Sequence, residues 1–168
     1  SVKGVKIVYV TGNHDDFLRQ FTPFLFNENI SIVDEYIWDD YYITHGDLYD
    51  GVVKLRWLGY IGGLGYELAI IIDRFIKKLG YKKSFSKWLK VTVKDAVKFI
   101  TDFEQQVSYQ AKEKKCVGVI CGHIHTPVDK IVNVGDVPIR YLNCGDWIEN
   151  NSYIIYDGKE FKIKYFNN

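Results

Sequence analysis

Four histidines and their neighbours are the residues of this chain whose types and spacing are suited to chemistry. His14 lies in Gly-Asn-His-Asp, His45 in Thr-His-Gly-Asp, and His123 and His125 in Gly-His-Ile-His. Each group follows a predicted strand, and in α/β sheets ligands bind beyond the carboxyl ends of strands. Any one of these histidines alone would more simply be a structural residue. Taken together, they predict one shared site.

The chemistry of this set is that of a hydrolytic metal centre. Neutral imidazole suits Zn, Fe, Mn and Ni, whereas amide and carboxylate oxygens suit Mn and Mg, so a mixed set indicates a borderline metal. Alternate side chains of an extended segment point the same way, so His123 and His125 can face one cluster. Two-metal sites hold their ions about 3.5–4 Å apart and clamp a phosphoryl group. We expect Gly12, Gly46 and Gly122 to let the backbone bend sharply beside these groups.

The elements that must position this site are strands separated by a helical segment. "VKIVYV", residues 5–10, predicts a buried strand, and two more strands are predicted at about 30–37 and 41–45. A long helix follows, with Ser86 as its predicted N-cap. Its apolar stripe consists of Leu89, Val93, Ala96, Ile100, Phe103 and Val107. Five strands are predicted within 116–168, with hairpin turns in "NVGDVP" and "YDGKEF".

Composition limits the class of protein. The 168 residues suit one domain, and 47% hydrophobic with 16% aromatic residues argue against disorder. Lys and Arg number 22 against 21 Asp and Glu, so no overall charge favours nucleic acid as a partner. Three cysteines, Cys116, Cys121 and Cys144, are an odd and sparse set, which does not suit a disulfide framework and predicts reduced, intracellular thiols.

The motifs resemble a known family. Gly-Asn-His-Asp, the lone His45 and Gly-His-Ile-His resemble three of the five signatures of the calcineurin-like metallophosphoesterases, in the family's order and on matching predicted elements. Nearly the whole chain also resembles the branch of UDP-2,3-diacylglucosamine diphosphatases of lipid A synthesis. The stretches that carry this resemblance are "GNHDDFLR", "THGDLYDGVV", "AVKFITDFEQQ", "GVICGHIHTP" and "YLNCGDWIENNSYIIYDG". It implies an α/β (α+β) fold, a β-sandwich flanked by helices in a single domain, 1–168, with a helical cap insert at 49–115.

The resemblance also implies a set of metal ligands. Asn13, His45 and His123 would bind one divalent ion, and His125 would bind the other. Manganese is the expected metal, with iron, zinc or magnesium as alternatives. Two catalytic roles are implied as well. His14 would lie over the substrate phosphate, stabilising charge or protonating the leaving oxygen, and Asp15 would accept a hydrogen bond from it and orient its ring.

The family's first two signatures, Asp-x-His and Gly-Asp-x-x-Asp, precede Gly-Asn-His-Asp, yet no Asp or His lies upstream of Gly12. We therefore expect that a βαβ unit, on the order of 30 residues or more, is missing from the start of the chain. On this expectation the chain binds at most one ion and is inactive alone. Its first strand then has an uncovered edge, which favours a homodimer.

The function implied is hydrolysis of the pyrophosphate of UDP-diacylglucosamine to UMP and a lipid monophosphate, by direct attack on phosphorus. This predicts a cytoplasmic protein, peripheral on the inner membrane. The apolar run at 57–72 would hold acyl chains or pack the insert's own core. The insert has a basic side, which would bind anionic lipid or substrate phosphates or would simply be a solvated face. Lys90 and Lys94 are the candidates for substrate binding. The whole basic side comprises Lys82, Lys83, Lys87, Lys90, Lys94 and Lys98.

Asp146 and Trp147 are further candidates to line the site, although a tryptophan is more often a core residue. Two alternatives to the lipid hydrolase stay open. One is a non-catalytic metallophosphoesterase-like scaffold. The other is a phosphoesterase that acts on a nucleotide, a phosphodiester or a phosphoprotein, because a fold does not fix a function.

Overall fold

The computed structural model describes residues 4–49 and 85–166, and it describes the side chains of the second range from residue 98 onwards. The chain divides into two units, one of Ser1–Tyr49 with Glu104–Asn168 and one of Asp50–Phe103. The fold is a mixture of α and β elements, as the sequence predicted. The predicted apolar run at 57–72, with Lys82 and Lys83, lies outside the described residues, and so do the side chains of Lys87, Lys90 and Lys94. The insert at 49–115 stays a prediction.

The described strands form three sheets. The strands in chain order are β1 (Ile7–Val10), β2 (Phe24–Asn27), β3 (Ile30–Val33), β4 (Glu35–Trp38), β5 (Tyr41–Thr44), β6 (Gly118–Cys121), β7 (Val128–Val134), β8 (Val137–Asn143), β9 (Ser152–Tyr156) and β10 (Phe161–Tyr165). The sheet orders are β1-β3-β2, β4-β5-β6-β8-β7 and β10-β9. Helix α1 covers Phe85–Glu113, and short 3-10 helices cover Asp16–Phe21 and Asp47–Tyr49.

The five-stranded sheet carries the core. Its central strands β5, β6 and β8 run parallel, so their carboxyl ends lie side by side. β5 alternates in burial, with Tyr42 and Thr44 inside, whereas three of the four residues of β6 are buried. This is the expected difference between a strand near the edge of a sheet and a central one. The β9–β10 hairpin packs on this sheet through aromatic rings, with Tyr41 and Phe161 at 4.6 Å between ring centroids.

The predicted strand at 30–37 is wrong in one respect, because it is two strands in two different sheets. β3 pairs in parallel with β1, whereas β4 pairs antiparallel with β5. Asp34 lies between them, and its carboxylate accepts hydrogen bonds from the hydroxyls of Thr11 and Thr22 at 2.7 and 2.6 Å. The Asp34 side chain bonds to these two hydroxyls and separates β3 from β4. The residue pattern along 30–37 does not reveal these two partners.

The prediction that β1 is a buried strand is also wrong. Ile7 and Tyr9 are 49% and 47% exposed. The reason is position, because β1 has a single strand neighbour, β3, among the described residues. The apolar run identified the strand but not its place at the edge of a sheet. The sequence also did not predict β2, whose residues are all exposed.

The strand predictions for residues 116–168 are confirmed. All five strands predicted within 116–168 are present as β6 to β10, and both predicted hairpins occur. The long helix is present, but Ser86 lies inside it and is not its N-cap. All three cysteines are free thiols. In the parts of the chain that the structure describes, no helix combines the length and the hydrophobicity needed to cross a membrane.

Within residues 4–49 and 85–166, β1 pairs with a strand on one side only, which leads to an expectation about assembly. The backbone N–H of Ile7 bonds to Asn29 of the β2–β3 turn at 2.7 Å, and in such a parallel pairing the groups of Val8 face the other side. An unpaired edge is a template for another strand, so we expect a concentration-dependent homodimer through β1. Val8→Pro removes the outward N–H while keeping the bonds to β3, and should be monomeric.

Light scattering over a concentration series measures this association. The wild-type mass should rise towards twice the monomer value, while the Val8→Pro mass stays constant. A wild-type chain that stays monomeric throughout the series would rule out the edge as a dimer interface.

Candidate metal centre

Three loops that follow strands deliver the candidate ligands. Asn13 follows β1, His45 follows β5 and His123 follows β6. Because β5 and β6 are parallel neighbours, their last residues leave the sheet together, and the N–H of Gly122 continues the ladder by bonding to the carbonyl of His45 at 3.1 Å. The ends of β5 and β6 therefore lie side by side, as the sequence predicted.

The side chains of Asn13, His45 and His123 lie close together. Asn13 Oδ1 is 2.9 Å from His45 Nε2, which makes this contact a hydrogen bond in the present structure. The rings of His45 and His123 lie 5.4 Å apart between centroids and are inclined at 68°. All three residues are half-buried. Two imidazoles and an amide oxygen thus converge from segments that are far apart in the chain.

Two glycines allow this approach. A Cβ atom on Gly12 would lie 3.0 Å from three carbon atoms of the His45 ring, closer than ordinary carbon contacts. Gly46, directly after His45, has φ 109°, a conformation that side-chain-bearing residues rarely adopt. His123 itself has φ 64°, which is uncommon for a residue other than glycine.

The separation of the Asn13 and His45 donors fits one shared divalent ion. Two atoms bound to the same ion at about 2.1 Å lie roughly 3–3.5 Å apart, close to the separation of Asn13 Oδ1 and His45 Nε2. Burial lowers the pKa of His45 below its usual 6.5, which keeps the imidazole in the neutral form that binds metals. Over the described residues, no three or more His, Cys, Asp or Glu side chains are grouped to hold a metal, and the candidate set consists of two imidazoles and the amide of Asn13.

Of the other predicted site residues, Asp15 and the backbone of His125 have described contacts. His125 is exposed, and its backbone carbonyl accepts a hydrogen bond from Asn150 Nδ2 at 2.7 Å. His14 is exposed as well. The Asp15 carboxylate accepts a hydrogen bond from the N–H of Gly12 at 2.9 Å, so its described role is to shape the loop that bears Asn13. The orientation of His14 by Asp15 stays a prediction.

Asp146 and Trp147 belong to the loop beside His125. The Asp146 carboxylate accepts hydrogen bonds from the backbone N–H of Glu149 and from the side-chain amide of Asn150. Together with further backbone N–H groups, these bonds lower the pKa of Asp146 to about 2. Asp146 therefore organises its own loop. Trp147 is 62% exposed, so the alternative that it is a core residue is wrong, and its ring stacks on Tyr153 at 5.9 Å.

The sequence did not single out Arg19, Asp47 or Asn150. Arg19 and Asp47 join the loops of Asn13 and His45, while Asn150 joins its own loop to the carbonyl of His125. The only signal was position, since Asp47 lies two residues after His45 and Arg19 ends the "GNHDDFLR" stretch. Their pairing across 28 positions follows from the fold alone.

The pKa of His45 gives a prediction for stability. An unfolded histidine takes up a proton near pH 6.5, whereas buried His45 does so only at lower pH, so the unfolded chain binds more protons in this range. The contribution of His45 to the free energy of unfolding should be complete above pH 6.5 and should decline as pH falls towards the folded pKa. Urea unfolding in metal-free buffer between pH 5 and 8 measures it.

His45→Gln should flatten this dependence, and the matched control His14→Gln, at an exposed histidine of the neighbouring loop, should preserve it. Equal slopes for wild type and His45→Gln would show that the burial of His45 has no effect on stability.

No protein-family model matches the chain, and no curated protein matches it. The candidate centre therefore rests on its geometry and on the residues of its motifs.

Proposed function

We propose that the protein is a metal-dependent phosphohydrolase in which Asn13, His45 and His123 hold a divalent ion. The observation that supports this proposal is the convergence of the three side chains, with 2.9 Å between Asn13 Oδ1 and His45 Nε2 and 5.4 Å between the two rings. A mixed set of imidazole and amide donors suits manganese, with iron, zinc and magnesium as alternatives. The resemblance to the metallophosphoesterases and their β-sandwich fold adds a second ion to this proposal, with His125 among its ligands.

The chain's own residues have distinct roles in this proposal. A bound divalent ion would polarise a phosphoryl oxygen and raise the acidity of nearby water. Asn13, His45 and His123 fix the position at which phosphate can bind. His14 is exposed in the same loop as Asn13, so a substrate can reach it, and its imidazole would stabilise charge on the phosphoryl group or donate a proton to the leaving oxygen.

The proposed substrate is the pyrophosphate of a UDP-linked diacylglucosamine, which gives UMP and a lipid monophosphate. Besides the resemblance, exposed apolar side chains in the loop bonded to the His125 carbonyl support a substrate with an apolar part, since Trp147 and Ile148 are 62% and 87% exposed. Such a substrate places the protein at the cytoplasmic face of the inner membrane, where Lys90 and Lys94 would contact anionic groups.

The test is a comparison of two substrates in the longest natural form of this protein. We expect Mn²⁺-dependent release of UMP from UDP-diacylglucosamine, faster than cleavage of a generic phosphodiester. If the protein cleaves only the phosphodiester, the proposed metal centre stands and the proposed lipid substrate is wrong. If the protein binds Mn²⁺ but hydrolyses neither substrate, the alternative of a non-catalytic scaffold is favoured.

A further inference from the structure

A polar network joins the two loops that carry Asn13 and His45. Arg19, in the 3-10 helix Asp16–Phe21, donates from Nη1 and Nη2 to the two carboxylate oxygens of Asp47 at 2.9 and 2.8 Å. The same guanidinium donates from Nε to Thr11 Oγ1 and from Nη2 to the Thr11 carbonyl, both at 3.4 Å. Arg19 therefore holds a residue of each loop at once.

The burial of this network makes it a fixed part of the structure. Asp47 is 3% exposed and Thr11 is completely buried, while the Arg19 side chain is 20% exposed. A bidentate arginine–carboxylate pair has a defined geometry, and a carboxylate as buried as that of Asp47 is costly to leave unpaired. Thr11 is anchored in turn, since its hydroxyl bonds to Asp34 at 2.7 Å.

The network spans the same two loops as the candidate ligands. Thr11 lies two residues before Asn13, and Asp47 lies two residues after His45. We propose that Arg19 is a positioning residue, which fixes the separation of Asn13 and His45 by bonding to Thr11 and Asp47. This inference rests on the proposed metal site, because positioning matters to binding only if the two side chains share an ion.

The test substitutes Arg19→Lys, which keeps the positive charge and loses the planar, bidentate geometry. The matched control is Arg140→Lys. Arg140 makes a similar bidentate pair with Asp129, at 3.0 and 2.8 Å, and its side chain is 24% exposed. It lies in the middle of β8 and pairs with Gly118 at the start of β6, whereas the candidate centre follows the end of β6.

Two measurements are made on the 168-residue chain. Hydrogen exchange without metal follows the amides of residues 11–22 and 44–49, and calorimetric titration with Mn²⁺ gives the dissociation constant. We expect Arg19→Lys to speed exchange in both segments by about tenfold or more and to weaken Mn²⁺ binding by roughly 10–100-fold. Arg140→Lys should leave both quantities at their wild-type values.

The two measurements separate this inference from the proposed function. If wild type binds no Mn²⁺, the proposed function fails, and faster exchange in both segments still supports Arg19 as the residue that joins the loops. Unchanged exchange in Arg19→Lys overturns the inference, and so does faster exchange with wild-type Mn²⁺ affinity. Equal effects of Arg19→Lys and Arg140→Lys on Mn²⁺ affinity also overturn it, because the effect would then be general.

Discussion

Replacing His45 or His123 with alanine is expected to weaken Mn²⁺ binding by about 100-fold or more, because each change removes a direct donor. Substitution of a residue that only supports a ligand typically weakens metal binding by about 10–100-fold, so the loss of a ligand should cost at least the upper part of that range. Asn13→Ala should act in the same direction, since its amide oxygen lies 2.9 Å from His45 Nε2. Calorimetric titration of the variants measures the affinities.

The control for this series is His14→Ala. His14 shares the loop of Asn13 but is exposed, and its proposed role concerns the phosphate. Its Mn²⁺ affinity should equal that of wild type, while hydrolysis by the longest natural form of the protein should fall by roughly 100–10,000-fold. Wild-type affinity in His45→Ala would exclude His45 as a ligand.

Gly12→Ala is expected to weaken Mn²⁺ binding by about 10–100-fold without removing any ligand. The added methyl group would lie 3.0 Å from Cγ, Cδ2 and Cε1 of His45, and carbon atoms normally pack at about 3.5–4.0 Å. The imidazole must then shift by a few tenths of an ångström, which changes the separation of the Asn13 and His45 donors.

Gly122→Ala is the matched control, because this glycine also lies beside His45. A Cβ on Gly122 would meet Cys144 Sγ at 3.6 Å and His45 Nδ1 at 3.9 Å, which are ordinary contacts. We expect its Mn²⁺ affinity to equal that of wild type. If Gly12→Ala and Gly122→Ala weaken binding equally, the close approach of Gly12 to the His45 ring is not the cause.

The sequence predicted the parts of this molecule that depend on local pattern. Eight apolar and β-branched segments located nine of the ten described strands, since the segment 30–37 covers both β3 and β4. The histidines after β5 and β6 were expected to meet because the ends of strands meet at one edge of a sheet. What the sequence could not predict depends on contacts between distant residues. The division of 30–37 at Asp34 and the exposure of β1 follow from which segments pair, and periodicity along one segment does not contain that information.

The same limit applies to the candidate site. The residue types in Gly-Asn-His-Asp and Thr-His-Gly-Asp indicated metal chemistry, but the 2.9 Å contact of Asn13 with His45 depends on Gly12 having no side chain and on the Arg19–Asp47 pair. Asp146 resembled a site residue by its place in the chain. Its carboxylate accepts hydrogen bonds from the N–H groups of Ile148 and Glu149 and from the side chain of Asn150, and the sequence did not predict these contacts.

The most direct test of the central claim, that Asn13, His45 and His123 hold one divalent ion, is pulsed electron paramagnetic resonance of the chain with Mn²⁺. The proposed site predicts one bound ion per chain with modulation from two directly coordinated imidazole nitrogens. One of these signals should disappear in His45→Ala and the other in His123→Ala, while both persist in His14→Ala. A spectrum that stays that of aqueous Mn²⁺ at saturating protein, or imidazole signals that are unchanged in both variants, would contradict the claim.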